Sequence, residues 1–257
     1  MKKIFITTFV FIAFISNAQE SFFRGNNNYV VPAVPAGPSI VTNTLVFNVD
    51  AANTSSYSGT GNAWNDLSGS NNIKFYSSSS YNVNANPTFS SDGGGSLVTT
   101  GIFGRSIANS GITGSVARSM EAWVKFNSVN ANAVISIGGQ AGSQLYELMA
   151  YSNNVIEHYW GNFTQSSTVL ATNTWYHIVI VYDGTTNHYI YINGVQVGFS
   201  ATPTLNTTNS PIYIGPAVTT TWGAFDGKIA TLRMYNRALT ASDVKTNFDA
   251  LKTRFGL

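Results

Sequence analysis

Two carboxylates on neighbouring apolar runs are the first residues in this chain whose type and spacing can do chemistry. Glu147 lies in the run 145–151 and Glu157 in the run 155–160, joined through Ser152-Asn153-Asn154. If all three of those residues form the loop, Tyr151 faces Val155 and the two carboxylates lie diagonally on one face, ~7–8 Å apart. That separation falls inside the range used by paired carboxylates at a glycosidic bond. If only Asn153-Asn154 turn, the register shifts and the carboxylates face opposite sides. Two solvated strand carboxylates are the plainer and favoured reading.

Oxygen-rich turns are the second candidate. Asp50, Asp66, Asp183 and Asp226 sit at strand ends or turns, and calcium takes its ligands from such carboxylates and loop carbonyls. Asp226 is the first choice for a calcium site, with Asp183 and Asp50 behind it. Each also has a structural explanation, because Asp before Gly or before a Leu-Ser-Gly turn hydrogen-bonds its own backbone. The histidines are not spaced for zinc: His177 and His188 lack a clear third ligand.

Aromatic side chains in polar loops are the third candidate. Neutral sugars are held by aromatic faces stacked on apolar ring surfaces, with amides and hydroxyls meeting the OH groups. Trp222, in Thr219-Thr220-Thr221-Trp222-Gly223, has no strand periodicity around it and is the leading platform. Trp160 beside Gly161-Asn162, Tyr146, and Tyr57 in a Ser/Gly-rich loop are the others, and His158 can donate to a sugar hydroxyl. Trp64, Trp123 and Trp175 read as core.

The composition narrows what such a site would meet. Lys2 and Lys3 precede an apolar run from residue 4 to 15, and Ser16-Asn17-Ala18 follows with small residues at the −3 and −1 positions. This is the layout of a secretory signal peptide, and about a dozen apolar residues fall short of the ~20 needed to span a bilayer. Residues 1–18 are therefore expected to be removed on export, leaving a secreted or otherwise extracytoplasmic protein without a membrane span. No Cys follows to carry a lipid anchor. Loss of Lys2 and Lys3 leaves 11 basic and 11 acidic side chains, which argues against a nucleic-acid partner because that needs a basic patch. Charged residues make up only 9% of the chain and aromatics 13%, a surface suited to neutral partners.

The elements that must position these groups are strands. Residues 19–43 read as a Pro/Asn-rich linker, with three prolines between 32 and 38. From residue 44 to 257, short alternating runs recur between Gly/Asn/Ser/Asp clusters: 45–49, 119–126, 134–137, 145–151, 155–160, 175–182, 188–192, 212–214 and 228–235. Many short strands without alternating helices indicate a sandwich or jelly roll. Asn193-Gly194 predicts a two-residue hairpin, since both positions need positive φ, and with the turn at 183–187 it makes a three-strand meander. One helix is expected at the end. Thr240 and Asp243 form a capping-box pattern, and Val244, Phe248, Leu251 and Phe255 form one apolar stripe.

Several stretches resemble the laminin-G-like, concanavalin A-like lectin/glucanase superfamily as found in secreted bacterial proteins. They are Trp64-Asn65-Asp66-Leu67-Ser68-Gly69, Met120-Glu121-Ala122-Trp123-Val124, Trp175-Tyr176-His177-Ile178-Val179 leading to Tyr191-Ile192-Asn193-Gly194, Phe225-Asp226-Gly227-Lys228-Ile229, and Tyr235-Asn236-Arg237-Ala238-Leu239-Thr240. The resemblance implies an all-β fold of two stacked antiparallel sheets, a jelly-roll sandwich with a short C-terminal helix. It also implies a concave face, rim loops and often a rim calcium ion. Members bind glycans or proteins, and a minority hydrolyse glycans; the clustered E-x-D-x-E-like acids of the hydrolysing members have no match here. Only four Glu remain after residue 18 (Glu20, Glu121, Glu147, Glu157), and no strand holds two acids two or four residues apart. There is no nucleophile elbow, phosphate loop or zinc motif. The expectation is a secreted, non-catalytic carbohydrate-binding module using rim-loop aromatics, with calcium as its one expected cofactor. A protein–protein adhesion module contacting a surface protein is the alternative, and a glycoside hydrolase using Glu147 and Glu157 the second.

Overall fold

A computed structural model describes residues 39–159, 161–201, 204–216 and 224–257. The expected signal peptide and most of the expected linker lie outside the described residues. With strands numbered in chain order, one sheet runs β14 (Val195–Ala201), β13 (Asn187–Ile192), β12 (Trp175–Tyr182), β7 (Arg118–Phe126), β16 (Gly227–Tyr235), β5 (Ser96–Val98) and β4 (Thr88–Ser90). In that sheet β1 (Leu45–Asp50) also pairs with β16, beyond the short stretch taken by β5. The second sheet runs β11 (Phe163–Val169), β10 (Asn154–His158), β9 (Leu145–Tyr151), β8 (Asn132–Gly138), β15 (Pro211–Ile214), β6 (Phe103–Asn109), β3 (Ile73–Tyr76) and β2 (Ala63–Trp64). Every strand pairing is antiparallel. The expected all-β, two-sheet architecture with one short C-terminal helix is what the chain adopts.

Alternation along the strands explains the layers. In β7, Met120, Ala122, Val124 and Phe126 enter the main core between the sheets, with Ile178 and Ile180 of β12 beside them. The intervening residues point the other way, because successive strand side chains alternate faces. Most outward faces in such a sandwich are polar, but the outward face of the first sheet is apolar and must be covered. Trp123 and Trp175 there form a separate cluster with Phe255, and the Trp123 and Phe255 rings stack with centroids 4.1 Å apart. Trp64, Trp123 and Trp175 are all buried, as the sequence reading placed them.

The cover is the C-terminal helix, α1 (Ala241–Leu251), followed by a 3-10 turn over Lys252–Phe255. Thr240 and Asp243 form the expected capping box. Leu239 and Val244 pack together across the cap as a hydrophobic staple. Phe248 and Leu251 then reach the tryptophan cluster. Beneath the helix lies a buried polar network. Glu121 Oε1 accepts from Arg233 Nη1 at 2.6 Å and Oε2 accepts from Asn247 Nδ2 at 2.5 Å, and His177 Nε2 lies 3.2 Å from Oε1. Burial alone would push the Glu121 carboxyl up, but Arg233 and then His177 outweigh it and hold it at about 2. The last residues of the expected 19–43 linker are among those described. Val41 donates to Asn247 Oδ1 at 2.7 Å and its carbonyl accepts from Tyr235 at 3.1 Å, so residues 41–43 dock onto the domain.

The Asn193-Gly194 hairpin forms as expected, with Ile192 opposite Val195 and φ of 50° and 79° at the two turn residues. A second glycine sets the β8–β9 connection. Gly138 ends β8 at φ 95°, and a Cβ there would stand 2.0 Å from the Gln144 carbonyl oxygen. Gly138→Ala is expected to destabilise the domain by about 3 kcal/mol, from backbone strain plus overpacking. A urea melt with an unchanged slope and a lower midpoint is the expected result; an unshifted midpoint would refute it.

Candidate functional site

The register of one hairpin decides the carboxylate question. Tyr151 lies opposite Asn154, so the turn is Ser152-Asn153, with φ of 49° and 67°. Two successive positive φ values mark the type I′ hairpin turn, whose twist matches that of the flanking strands. Neither loop considered from sequence is the one formed. In the observed register Glu147 faces His158 while Glu157 faces Leu148. The two glutamates therefore point to opposite faces of the sheet, and the hydrolase reading that needs them as a pair is overturned. Glu157 enters the core, where its Oε1 lies 2.7 Å from Nδ1 of His188 on the facing sheet. Burial raises its carboxyl pKa despite that contact.

Glu147 faces outward, with Oε2 3.0 Å from Nδ1 of His158. Direct cross-strand partners extend this pair in both directions. Tyr213 of β15 faces Ser136 of β8, Ser136 faces Glu147, Glu147 faces His158, and His158 faces Phe163 of β11. The next row along the strands is apolar: Ala133, Met149 and Ile156 pack as a small cluster separate from the main core. Over that floor opens a cavity of about 310 Å³, lined by Met149, Tyr151, Ser152, Ile156, His158, Phe163 and Gln165. Tyr151 is 43% exposed and Phe163 57%. The cavity thus has an apolar floor, two exposed aromatic walls, and His158, Gln165 and Ser152 as its hydrogen-bonding groups.

Of the residues singled out from sequence, His158 lines this cavity and Glu147 adjoins it. Tyr57 does not reach the surface. It is 1% exposed, its hydroxyl donates to the carbonyls of Gly61 and Pro87, and its ring stacks on Phe89. Tyr146 points between the sheets and is fully buried, because it alternates with Glu147. Both are core residues rather than ligand platforms. Trp160 and Trp222 lie outside the described residues.

The aspartates do not converge. Tyr182, just before Asp183, pairs with Arg118, whereas Gly227, just after Asp226, pairs with Phe126. Asp183 and Asp226 therefore sit near opposite ends of β7, about 27 Å apart at ~3.4 Å per residue, and cannot share an ion. Both carboxylate oxygens of Asp50 accept from Nη1 of Arg254 at 2.9 Å. Asp183 accepts from Thr185 and Asn187 within its own turn. Asp226 Oδ1 accepts from Thr100 at 2.8 Å and Asn127 at 3.0 Å. Among the described residues no group of three or more His, Cys, Asp or Glu comes together. All three aspartates thus carry protein hydrogen bonds, and Asp183 and Asp226 are too far apart to act on one ion.

Tyr151, Phe163 and Gln165 escaped the sequence reading. Residues 163–169 alternate, but their inward positions are Thr164 and Ser166, so no apolar period marked the strand. The available signal was an aromatic beginning a polar run, two residues before a glutamine.

The chain matches the family model for the concanavalin A-like lectin/glucanases superfamily over residues 92–245. It belongs to that family. No curated protein sequence matches the chain. Among solved structures, it is similar to domain 4 of AbnA, a GH43 extracellular arabinanase from Geobacillus stearothermophilus, solved in complex with arabinotriose. That likeness has 19% identity and a TM-score of 0.57, covering 80% of this chain and 98% of that one. The binding domain of botulinum neurotoxin serotype C1 is similar at 14% identity and TM-score 0.58, covering 81% of this chain and 52% of that one. Trypanosoma rangeli sialidase is similar at 14% identity and TM-score 0.56, over 87% of this chain and 36% of that one. At such identities these likenesses speak to the fold. Among the described residues no helix is long and apolar enough to cross a membrane.

Proposed function

We propose that the domain is an exported carbohydrate-binding module that holds a glycan on the outward face of the second sheet. The observation that carries this reading is the cavity between Tyr151 and Phe163. Its apolar floor of Met149 and Ile156 suits the CH face of a sugar ring, and His158, Gln165 and Ser152 suit its hydroxyls. A protein partner would instead favour a flat apolar patch of several hundred Å². The fold neighbours support a sugar: AbnA domain 4 was solved with arabinotriose, and cell entry of botulinum neurotoxin type C is dependent upon interaction with two ganglioside molecules. The Glu147–His158 pair orients the imidazole toward the cavity. A signal peptide over residues 1–18 would deliver the module to the compartment where such glycans lie.

The test is direct titration of the protein with a panel of oligosaccharides, repeated with Phe163→Ala and with Trp222→Ala, the competing rim-loop platform. Binding is expected in the wild type and lost in Phe163→Ala. Unchanged binding in Phe163→Ala with loss in Trp222→Ala would move the site to the rim loop. A chelator arm tests calcium assistance, for which Asp226 is the candidate ligand.

A further inference from the structure

The outward row does not stop at Tyr213. Tyr213 faces Arg105 of β6, and Arg105 faces Lys74 of β3. Every other cation of the described residues is either in an ion pair or buried. Lys125 and Lys228 pair with Asp92, Arg233 with Glu121, Arg237 with Asp243, Lys245 and Lys252 with Asp249, and Arg254 with Asp50. Arg118 is buried with its guanidinium on backbone carbonyls. Lys74 and Arg105 are exposed and have no acidic partner among the described residues.

Their placement has a cost. Like charges directly opposite on paired strands destabilise a sheet, and this chain has only 9% charged residues to place. The nearest acid on the row, Glu147, is three strands from Arg105, about 14 Å at ~4.8 Å per strand. That exceeds the ~8 Å screening length at physiological salt, so Glu147 does not neutralise the pair. A second, independent feature adjoins it. Tyr81 is held at φ 53°, a left-handed conformation that is costly for a bulky side chain. Its ring packs within 5.5–6.5 Å of the rings of Tyr76, Tyr213 and Phe103, and the Arg105 guanidinium lies over it at 5.7 Å. Strain of this kind is kept where the surrounding structure fixes a side chain in place. The result is an aromatic shelf beside two uncompensated cations, on the same sheet face as the cavity.

We propose that Lys74 and Arg105 form an anion subsite at the far end of this face, and that the glycan bound there is acidic, bearing carboxylate or sulfate groups. This rests on the glycan-binding reading and names its ligand class. Lys74 to Phe163 spans six inter-strand steps, about 29 Å, so the ligand is an extended chain rather than a single sugar. The arginine fork binds a carboxylate or sulfate in two-point fashion, and the Tyr81 ring under the guanidinium holds that fork in place.

The experiment titrates the full chain with oligogalacturonate, oligomannuronate and a sulfated galactan oligomer, each beside its neutral counterpart, at 20 and 300 mM NaCl. At least one acidic glycan is expected to bind tenfold or more tighter than its neutral match at low salt, with the margin shrinking at high salt. In Lys74→Gln/Arg105→Gln that preference disappears while neutral binding stays. Both residues are exposed, so the variant is expected to melt at or above the wild-type temperature as repulsion is relieved. Equal affinity for every acidic and neutral pair, or a preference that survives the double variant, overturns the proposal. Carboxylated against sulfated probes tell which anion is taken. Failure of the cavity itself is distinguishable, since it shows as insensitivity to Phe163→Ala whatever the charge of the probe.

Discussion

Glu121→Gln is expected to destabilise the domain by about 3–5 kcal/mol, because it removes one partner of a buried ion pair and leaves the other charged. Glu121 is fully buried and Arg233 is 2% exposed. Glutamine preserves the volume and can still meet Asn247 and Tyr235, so the loss isolates the charge. Arg233 would keep only its 3.2 Å contact to Asn48. The fall in thermal midpoint should be about 10 °C for a domain of this size. A pH signature follows with a definite sign. The Glu121 carboxyl lies at about 2 in the folded state against an ordinary 4.5. A lowered pKa contributes stability that is present above the ordinary value and is lost as pH falls toward the folded one. The wild type should therefore lose stability between pH 4.5 and 2, and Glu121→Gln should lose less over that window. Parallel acid limbs, or a midpoint within two degrees of wild type at pH 7, would show that the network contributes little. Glycan binding at neutral pH should be untouched in folded protein, since Glu121 lies on the helix-covered face of the other sheet.

Tyr151→Ala/Phe163→Ala is expected to produce the opposite profile: a large loss of binding with little loss of stability. Each ring offers on the order of 50 Å² of apolar surface to a sugar, about 1.3 kcal/mol apiece at ~25 cal/mol per Å². The pair together is then worth roughly 2–3 kcal/mol, or a 30–100-fold rise in Kd. Tyr151 is 43% and Phe163 57% exposed, so truncation leaves no core cavity, and the melting temperature should stay within a few degrees of wild type. Calorimetric titration beside a thermal melt reads both quantities. A binding loss accompanied by an equal collapse of stability would mean that the rings hold the hairpin rather than the ligand.

The capped helix was legible because its signals are local: a cap, a third-position acid and an i, i+4, i+7 stripe lie within one short segment. The Asn193-Gly194 hairpin was legible for the same reason, since its residue types alone satisfy positive φ. Ser152-Asn153 was not, because neither residue demands that conformation, and three adjacent polar residues allowed more than one register. Strands β6 and β11 also escaped, because their inward positions are Gly104 and Ser106 in one and Thr164 and Ser166 in the other, so no apolar alternation marks them.

By itself, then, the sequence determined an all-β sandwich closed by a C-terminal helix, because alternation, caps and turn chemistry are properties of neighbouring residues. Tertiary structure decided which side chains meet. A single residue of register sent Glu157 to His188 in the core and Glu147 to His158 outside. Burial turned Tyr57 and Tyr146 from surface platforms into core. Cross-strand pairing lined up Lys74, Arg105 and Phe163, which are far apart in the chain, along one face. The reason is the two-residue strand period: it fixes a pattern from local types, while the choice of face depends on pairings between distant segments.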